Sequence, residues 1–201
     1  YRSADILRES SSGGMFTAMS DAVLSDGGTV YGAAFDEQVV VRHYRAESVG
    51  ERDQMRGSKY VQSDLTDIFK AVKQDLADGK KVLFTGTPCQ TDGLRSFLKG
   101  KTNNLICCDL VCHGTPSPLI WSEHVNFISK INHSKLKDYK FRPKNWGWHI
   151  HNELAVFENG REYHSCAFSN LFRDLYYGCL IMRPACHACP YTDLSRPSDI
   201  T

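Results

Sequence analysis

The chain has 201 residues, 41% hydrophobic and 23% charged, enough for one domain with a proper core and ordinary for a soluble globular protein. A net charge of +1 gives no reason to expect a nucleic-acid or anionic-membrane partner. Apolar stretches are short, so no membrane insertion is expected, and no secretory signal opens the chain.

Arg8 to Ser12 form a polar lead into Gly13-Gly14. Phe16, Met19 and Val23 then recur at helical spacing, and Asp26-Gly27-Gly28 should end that helix. Thr29 to Phe35 reads as a strand, with Val39 to Tyr44 as its antiparallel partner across Asp36-Glu37. Leu65, Ile68, Phe69, Val72 and Leu76 mark an amphipathic helix, capped by Ser63 or Asp64 and stopped by Gly79. Lys81 to Phe84 is a short buried strand. Thr85-Gly86-Thr87-Pro88 turns into a second helix, and Leu105 to Val111 is another apolar strand. Pro118 opens a helix through Trp121, Val125 and Ile128. Lys137 to Phe141 and His149 to Phe157 read as further strands, with a hairpin turn at Glu158-Asn159-Gly160 and a last helix from Phe168 to Tyr177.

This order predicts an α/β fold: a mixed, partly parallel sheet flanked by helices, with a Cys-rich loop from Cys179 onward. The span 1–201 reads as a single domain. It begins at Tyr1, and Asp199-Ile200-Thr201 reads as the start of a strand, so a piece cut from a longer protein is expected.

Eight cysteines without a secretory signal point to a reducing, cytoplasmic setting, where grouped thiols more often hold metal or do redox work than form disulfides. Cys186 and Cys189, two residues apart and followed by Pro190, can grip one metal or cluster from a tight loop. Two more ligands must come from elsewhere. Cys89 lies just inside a helix N-terminus, which favours a thiolate. Cys112 follows an apolar strand and precedes His113-Gly114-Thr115-Pro116. If the two strands are parallel neighbours, both cysteines reach the sheet edge where α/β folds place ligands. Cys107 and Cys108, adjacent within a strand, read as core residues on opposite faces, while Cys166 and Cys179 stand alone. Spacing does not decide between an iron–sulfur cluster, a structural zinc and no metal at all.

Ser11, Ser12, Gly13 and Gly14 open a helix and suit a pyrophosphate, although a flexible capped helix start is the simpler reading. The run is neither a Walker loop nor a dinucleotide fingerprint. Thr85, Gly86, Thr87, Pro88 and Gln90 combine a strand end, a glycine turn, hydroxyls and a helix N-terminus, a turn that can hold a phosphate or lie by a flavin ring. Lys59, next to Tyr60, could supply positive charge there, or be a solvated lysine. Trp146-Gly147-Trp148-His149 could stack on a ring or simply pack. His113 is the first acid–base candidate, and no Ser-His-Asp or paired-carboxylate arrangement favours hydrolysis.

Five motifs occur in order: Arg8 to Gly14, Arg56 to Tyr60, Gly86 to Gln90, Cys112 to Pro118, and the Cys186/Cys189 loop. With them the chain resembles the bacterial branch of the coenzyme F-420 hydrogenase/dehydrogenase beta-subunit family. The resemblance implies FAD and a [4Fe–4S] cluster. It implies that Ser12, Gly13 and Gly14 help bind the flavin phosphates, that Lys59 and the Gly86 to Gln90 turn lie by the flavin, and that Cys89, Cys112, Cys186 and Cys189 hold the cluster. It further implies electron exchange with coenzyme F-420, another flavin or a different small redox molecule, or with a ferredoxin-like donor, and it admits a larger complex or a homo-oligomer. The function expected is a flavin-dependent oxidoreductase domain. A zinc-stabilised, non-catalytic binding or scaffold module is the alternative, and a glycan-modifying transferase a third reading that leaves the cysteines unexplained.

Overall fold

The computed structural model describes residues 3–11, 13–144, 152–165, 170–193 and 195–201. The first sheet has the order β2-β1-β3-β4, made of β1 (Thr29–Phe35), β2 (Val41–Ala46), β3 (Val82–Gly86) and β4 (Leu105–Asp109). β1 pairs antiparallel with β2, while β1, β3 and β4 run parallel. The mixed, partly parallel sheet expected from the element order is therefore present.

β1 and β3 are buried almost throughout because helices cover both faces. Val30, Ala34 and Leu83 pack with Val23 of α2 (Met15–Ser25) and with Met55, just beyond α3 (Val49–Asp53). On the other face Tyr31, Val82, Phe84 and Cys107 pack against α4 (Ile68–Ala77) and α5 (Pro88–Leu98) through Val72, Leu94 and Leu98. Adjacent Cys107 and Cys108 divide between the two faces, as strand geometry requires.

A second, antiparallel sheet holds β5 (Leu136–Phe141), β6 (Glu153–Phe157) and β7 (Glu162–Ser165). Trp121 of α6 (Pro118–Ile131) joins the two sheets. Its ring packs against Phe35 of the first, Tyr139 and Phe141 of the second, and Phe172 of α7 (Leu171–Tyr177). Its indole N–H donates to the Val39 carbonyl at 2.7 Å.

The structure adds three short helices to the expected elements: α1 (Ala4–Glu9), α3, and α8 (Pro184–His187) within the Cys-rich loop. It also moves the start of α4 to Ile68. Asp64 cannot cap there because the backbone around it is paired with β2: His43 N–H donates to the Asp64 carbonyl, and Asp64 N–H to the Val41 carbonyl. Of the strand expected over 149–157 and the helix over 168–177, residues 149–151 and 168–169 lie outside the described residues.

The Asp75 carboxylate is buried beneath the first sheet and accepts from Thr29 and Tyr31 hydroxyls and from the Arg45 guanidinium. Burial disfavours its charge, but these donors outweigh it and hold its pKa at about 2, below the ordinary 3.8. A carboxyl depressed on folding stabilises above its unfolded value and loses that contribution as pH falls through the folded one. Resistance to urea should therefore weaken between pH 3.8 and about 2, and Asp75→Asn should be less stable at neutral pH with a flatter acid limb. Trp121→Ala should cost about 3–5 kcal/mol in the same assay.

Candidate functional site

The site begins with strand register. Gly86 at the end of β3 lies opposite Asp109 at the end of β4, and Cys89 and Cys112 each follow three residues later at the same edge of the sheet. Pro88 at the first position of α5 places Cys89 in the opening helical turn, where it is exposed. Its thiol is 3.1 Å from the Thr87 hydroxyl.

The C-terminal loop is strapped across this edge. Pro116 and Met182 form an antiparallel bridge, and Arg183 N–H donates to the Thr115 carbonyl at 3.0 Å. Gly114 adopts φ 126°, and a Cβ there would stand 2.9 Å from Met182 Sδ and 3.4 Å from Cys186 Cβ, so glycine permits the close approach. Farther on, the Tyr191 hydroxyl donates to Asp92 on α5 at 2.6 Å, and Arg196 binds the Tyr191 and Leu110 carbonyls.

These contacts bring the four predicted cysteines into one electrostatic neighbourhood. The Cys112 thiol is raised in pKa first by burial, which a hydrogen bond from Gly114 opposes, and then by the charges of Cys89, Cys186 and Cys189. Tyr191 is pushed up to about 12, chiefly by its hydrogen bond to Asp92, with Cys89 and Cys189 adding to the effect. Among the described residues, no three His, Cys, Asp or Glu side chains are drawn close enough to hold a single metal ion. Cys179 does not stand alone: at φ 58° it sits 3.4 Å from His113 Nε2. Cys166 lies outside the described residues.

The glycine-rich motifs also meet. Ser58 N–H donates to the Ser11 hydroxyl at 2.9 Å, and Gly57 faces Ser11. Gly14, at φ 78°, opens α2 without a side-chain cap of its own, and among the described residues nothing lies within 4 Å of where a Gly13 side chain would stand. The first N–H groups of a helix, beside open space, suit an anion. Ser12 lies outside the described residues, as does Trp146 to His149.

Lys59 is placed differently from a lysine pointing at a ligand. Its ammonium faces the carbonyls of Gln54, Met55, Arg56 and Gly57 at 2.8–3.4 Å. Burial lowers its pKa to about 7, while Asp138 favours the charged form. Tyr60 stacks on Tyr176 at 5.0 Å, and Tyr176 lies 5.3 Å from His113, so aromatic rings connect the Lys59 motif to the Cys112 motif. Gln90 is engaged within the turn, accepting from Thr87 N–H and donating to Ser63.

His43 is the residue that sequence reasoning missed. It is buried, and its Nε2–H donates to the Thr85 carbonyl at 2.9 Å, leaving a buried Nδ1 without a partner among the described residues. Burial, opposed by the hydrogen bond to Thr85 and helped by the charge of Lys59, lowers its pKa to about 4. His43 thus ties β2 to the Thr85-Gly86 turn. A polar residue at an inward position of β2, two after Val41, was the available signal.

A family model for the C terminus of the coenzyme F420 hydrogenase/dehydrogenase beta subunit matches residues 79–201. The chain belongs to this family. No curated protein matches it. Among solved structures it is similar to a chain of the F420-reducing [NiFe] hydrogenase complex from Methanosarcina barkeri, with TM-score 0.59 and 18% identity over 94% of this chain. At that identity the likeness is one of fold, and the match spans 62% of the hydrogenase chain.

Gly114→Val should push Met182 and Cys186 away and loosen the loop. Maleimide labelling of Cys112 and Cys186, read by mass spectrometry, should then run faster than in the wild type.

Proposed function

We propose that the chain is the electron-transferring part of a flavin-dependent oxidoreductase, with FAD and a [4Fe–4S] cluster, acting as one unit over residues 1–201 in the reducing cytoplasm. The observation that carries this reading is the convergence of Cys89, Cys112, Cys186 and Cys189 on one sheet edge. Family membership supports it.

The donor set fits the cluster. It is all thiol, the set that iron–sulfur clusters take. A tetrahedral zinc with Zn–S of about 2.3 Å needs four sulfurs crowded around one ion, whereas a cubane spreads its ligands over four irons. A helix N-terminus and the strap to Thr115 would hold two of the ligands in place before loading.

The flavin would lie between the two motif groups. The N-terminus of α2, with Gly13, Gly14 and Ser11, would take its phosphates, and the Thr85 to Pro88 turn would border the ring. Lys59 would act at one remove: it clamps the 54–57 loop, which positions Ser58 against Ser11. Tyr60, Tyr176 and His113 would exclude water between the ring and the cysteine edge. When bound, flavin and cluster supply two-electron and one-electron chemistry respectively, so the domain converts between them. The partner would be F-420, another flavin or small redox molecule, or a ferredoxin-like donor, and the domain would work within a larger complex or a homo-oligomer.

Anaerobic reconstitution should yield about four irons with matching sulfide, lost in Cys186→Ala and Cys89→Ala, together with bound flavin. Stoichiometric zinc without iron or flavin uptake would leave a zinc-stabilised scaffold in its place.

A further inference from the structure

Glu153 of β6 is a buried carboxyl, 3% exposed, with no lysine or arginine in ion-pair contact among the described residues. It stands opposite Phe141 of β5 and Ser165 of β7. The groups that bond it are neutral. The Tyr139 hydroxyl donates to it at 2.5 Å, and the Asn170 amide donates to the same oxygen. Asn170 also donates to the Ser165 hydroxyl at 3.0 Å. An ionised carboxyl buried without a cation is costly, and taking up a proton relieves the cost.

Burial lifts the Glu153 pKa to about 7, against the Tyr139 hydrogen bond and the charge of Arg173, with Asp174 adding to the rise. The titratable rings around it keep one state through that range. Burial pushes Tyr139 well above its ordinary value, and Tyr177, which feels the Glu153 charge, up to about 12. Burial lowers His124 of α6, on the far side of the Tyr139 ring, to about 4. Among the described residues, Arg173 is the cation whose charge reaches Glu153. It is buried and pairs at 2.9 Å with exposed Asp174.

The same carboxyl touches the start of α7. Asn170 bonds Glu153 through Nδ2 and caps α7 through Oδ1, which accepts from Arg173 N–H at 3.1 Å. The helix has only seven residues, and its far end meets the cysteine edge. There the Tyr176 hydroxyl donates to the Gly114 carbonyl at 3.4 Å, and the Tyr176 ring lies 5.3 Å from His113.

We propose that Glu153 is a proton-operated switch at the α7 cap: protonated, it holds the arrangement described here; ionised, it draws Arg173 from Asp174, and α7 withdraws Tyr176 from Gly114. Linkage sets the direction. A carboxyl raised on folding favours the packed arrangement in full below its ordinary 4.5, and that contribution is lost as pH rises through about 7. The cysteine edge is therefore tied most closely to α7 on the acid side of neutrality. The switch needs neither flavin nor cluster.

The full protein is titrated from about pH 5 to about pH 9, followed by glutamate carboxyl and backbone amide NMR. Glu153 should titrate near 7 rather than 4.5, and the amides of α7 and Gly114 should shift with the same midpoint. Glu153→Gln, which keeps the shape and an acceptor oxygen, should hold those amides at their acid-side positions throughout. Any titration of His113 survives in that variant and is thereby separated. Tyr139→Phe, which removes a hydrogen bond that favours the ionised form, should raise the midpoint. A Glu153 midpoint at the ordinary value would overturn the inference. So would α7 amides that stay fixed through the Glu153 midpoint, or whose shifts persist in Glu153→Gln. The Glu153 midpoint is read on the wild type and needs no variant to fold.

Discussion

The parallel pairing of β3 with β4 is the constraint on which the rest depends. Because Gly86 and Asp109 are opposite each other, two chain segments leave the sheet at the same level and on the same side. A one-residue slip would turn every side chain of β4 over and move Cys107 from one core to the other. The register is protected on both sides. Leu83 and Phe84 face opposite cores, and Asp199 and Ile200 bond the outer edge of β4 at Cys107 and Asp109. These tail residues begin ten positions after Cys189 in the sequence.

Much of this was legible from residue patterns. The β-branched and aromatic run at 29–35, the Gly79 stop and Pro88 and Pro118 at helix starts each carry a local physical signal, and the elements lie where those signals put them. The convergence of Cys89 and Cys112 followed from two strand ends, once parallel pairing was assumed. What local patterns did not reveal was set by distant partners. Asp64 looks like a helix cap until β2 claims its backbone. Lys59 looks like a free cation until four carbonyls surround it. His43 carries no motif, and its role depends on Thr85, 42 residues away. The helix α3 is a different case: Ser48 and Glu51 form a capping box whose spacing is plain in the sequence.

Two kinds of interaction divide the molecule. The sheet and its helices are held by apolar packing, with Trp121 bridging the sheets and Asp75 gathering polar groups beneath one of them. The ligand edge is instead held by backbone bonds and close glycine contacts: Thr115 to Arg183, Gly114 against Met182, and Ser58 to Ser11. Contacts of the second kind fix direction while burying little surface. They place thiols and helix ends without filling the space that a bound group needs.

The strap across β4 also sets an order of events during synthesis. Cys107 and Asp199, which it joins, are 92 residues apart in the chain. Domains form progressively as the chain emerges, so Cys89 and Cys112 leave the ribosome long before Cys186 and Cys189 exist. For that interval β4 has its inner neighbour β3 but not the tail that bonds its outer edge. A chain that stopped short of Asp199 would leave the outer edge of β4 without these hydrogen bonds, an unpaired strand edge open to other chains.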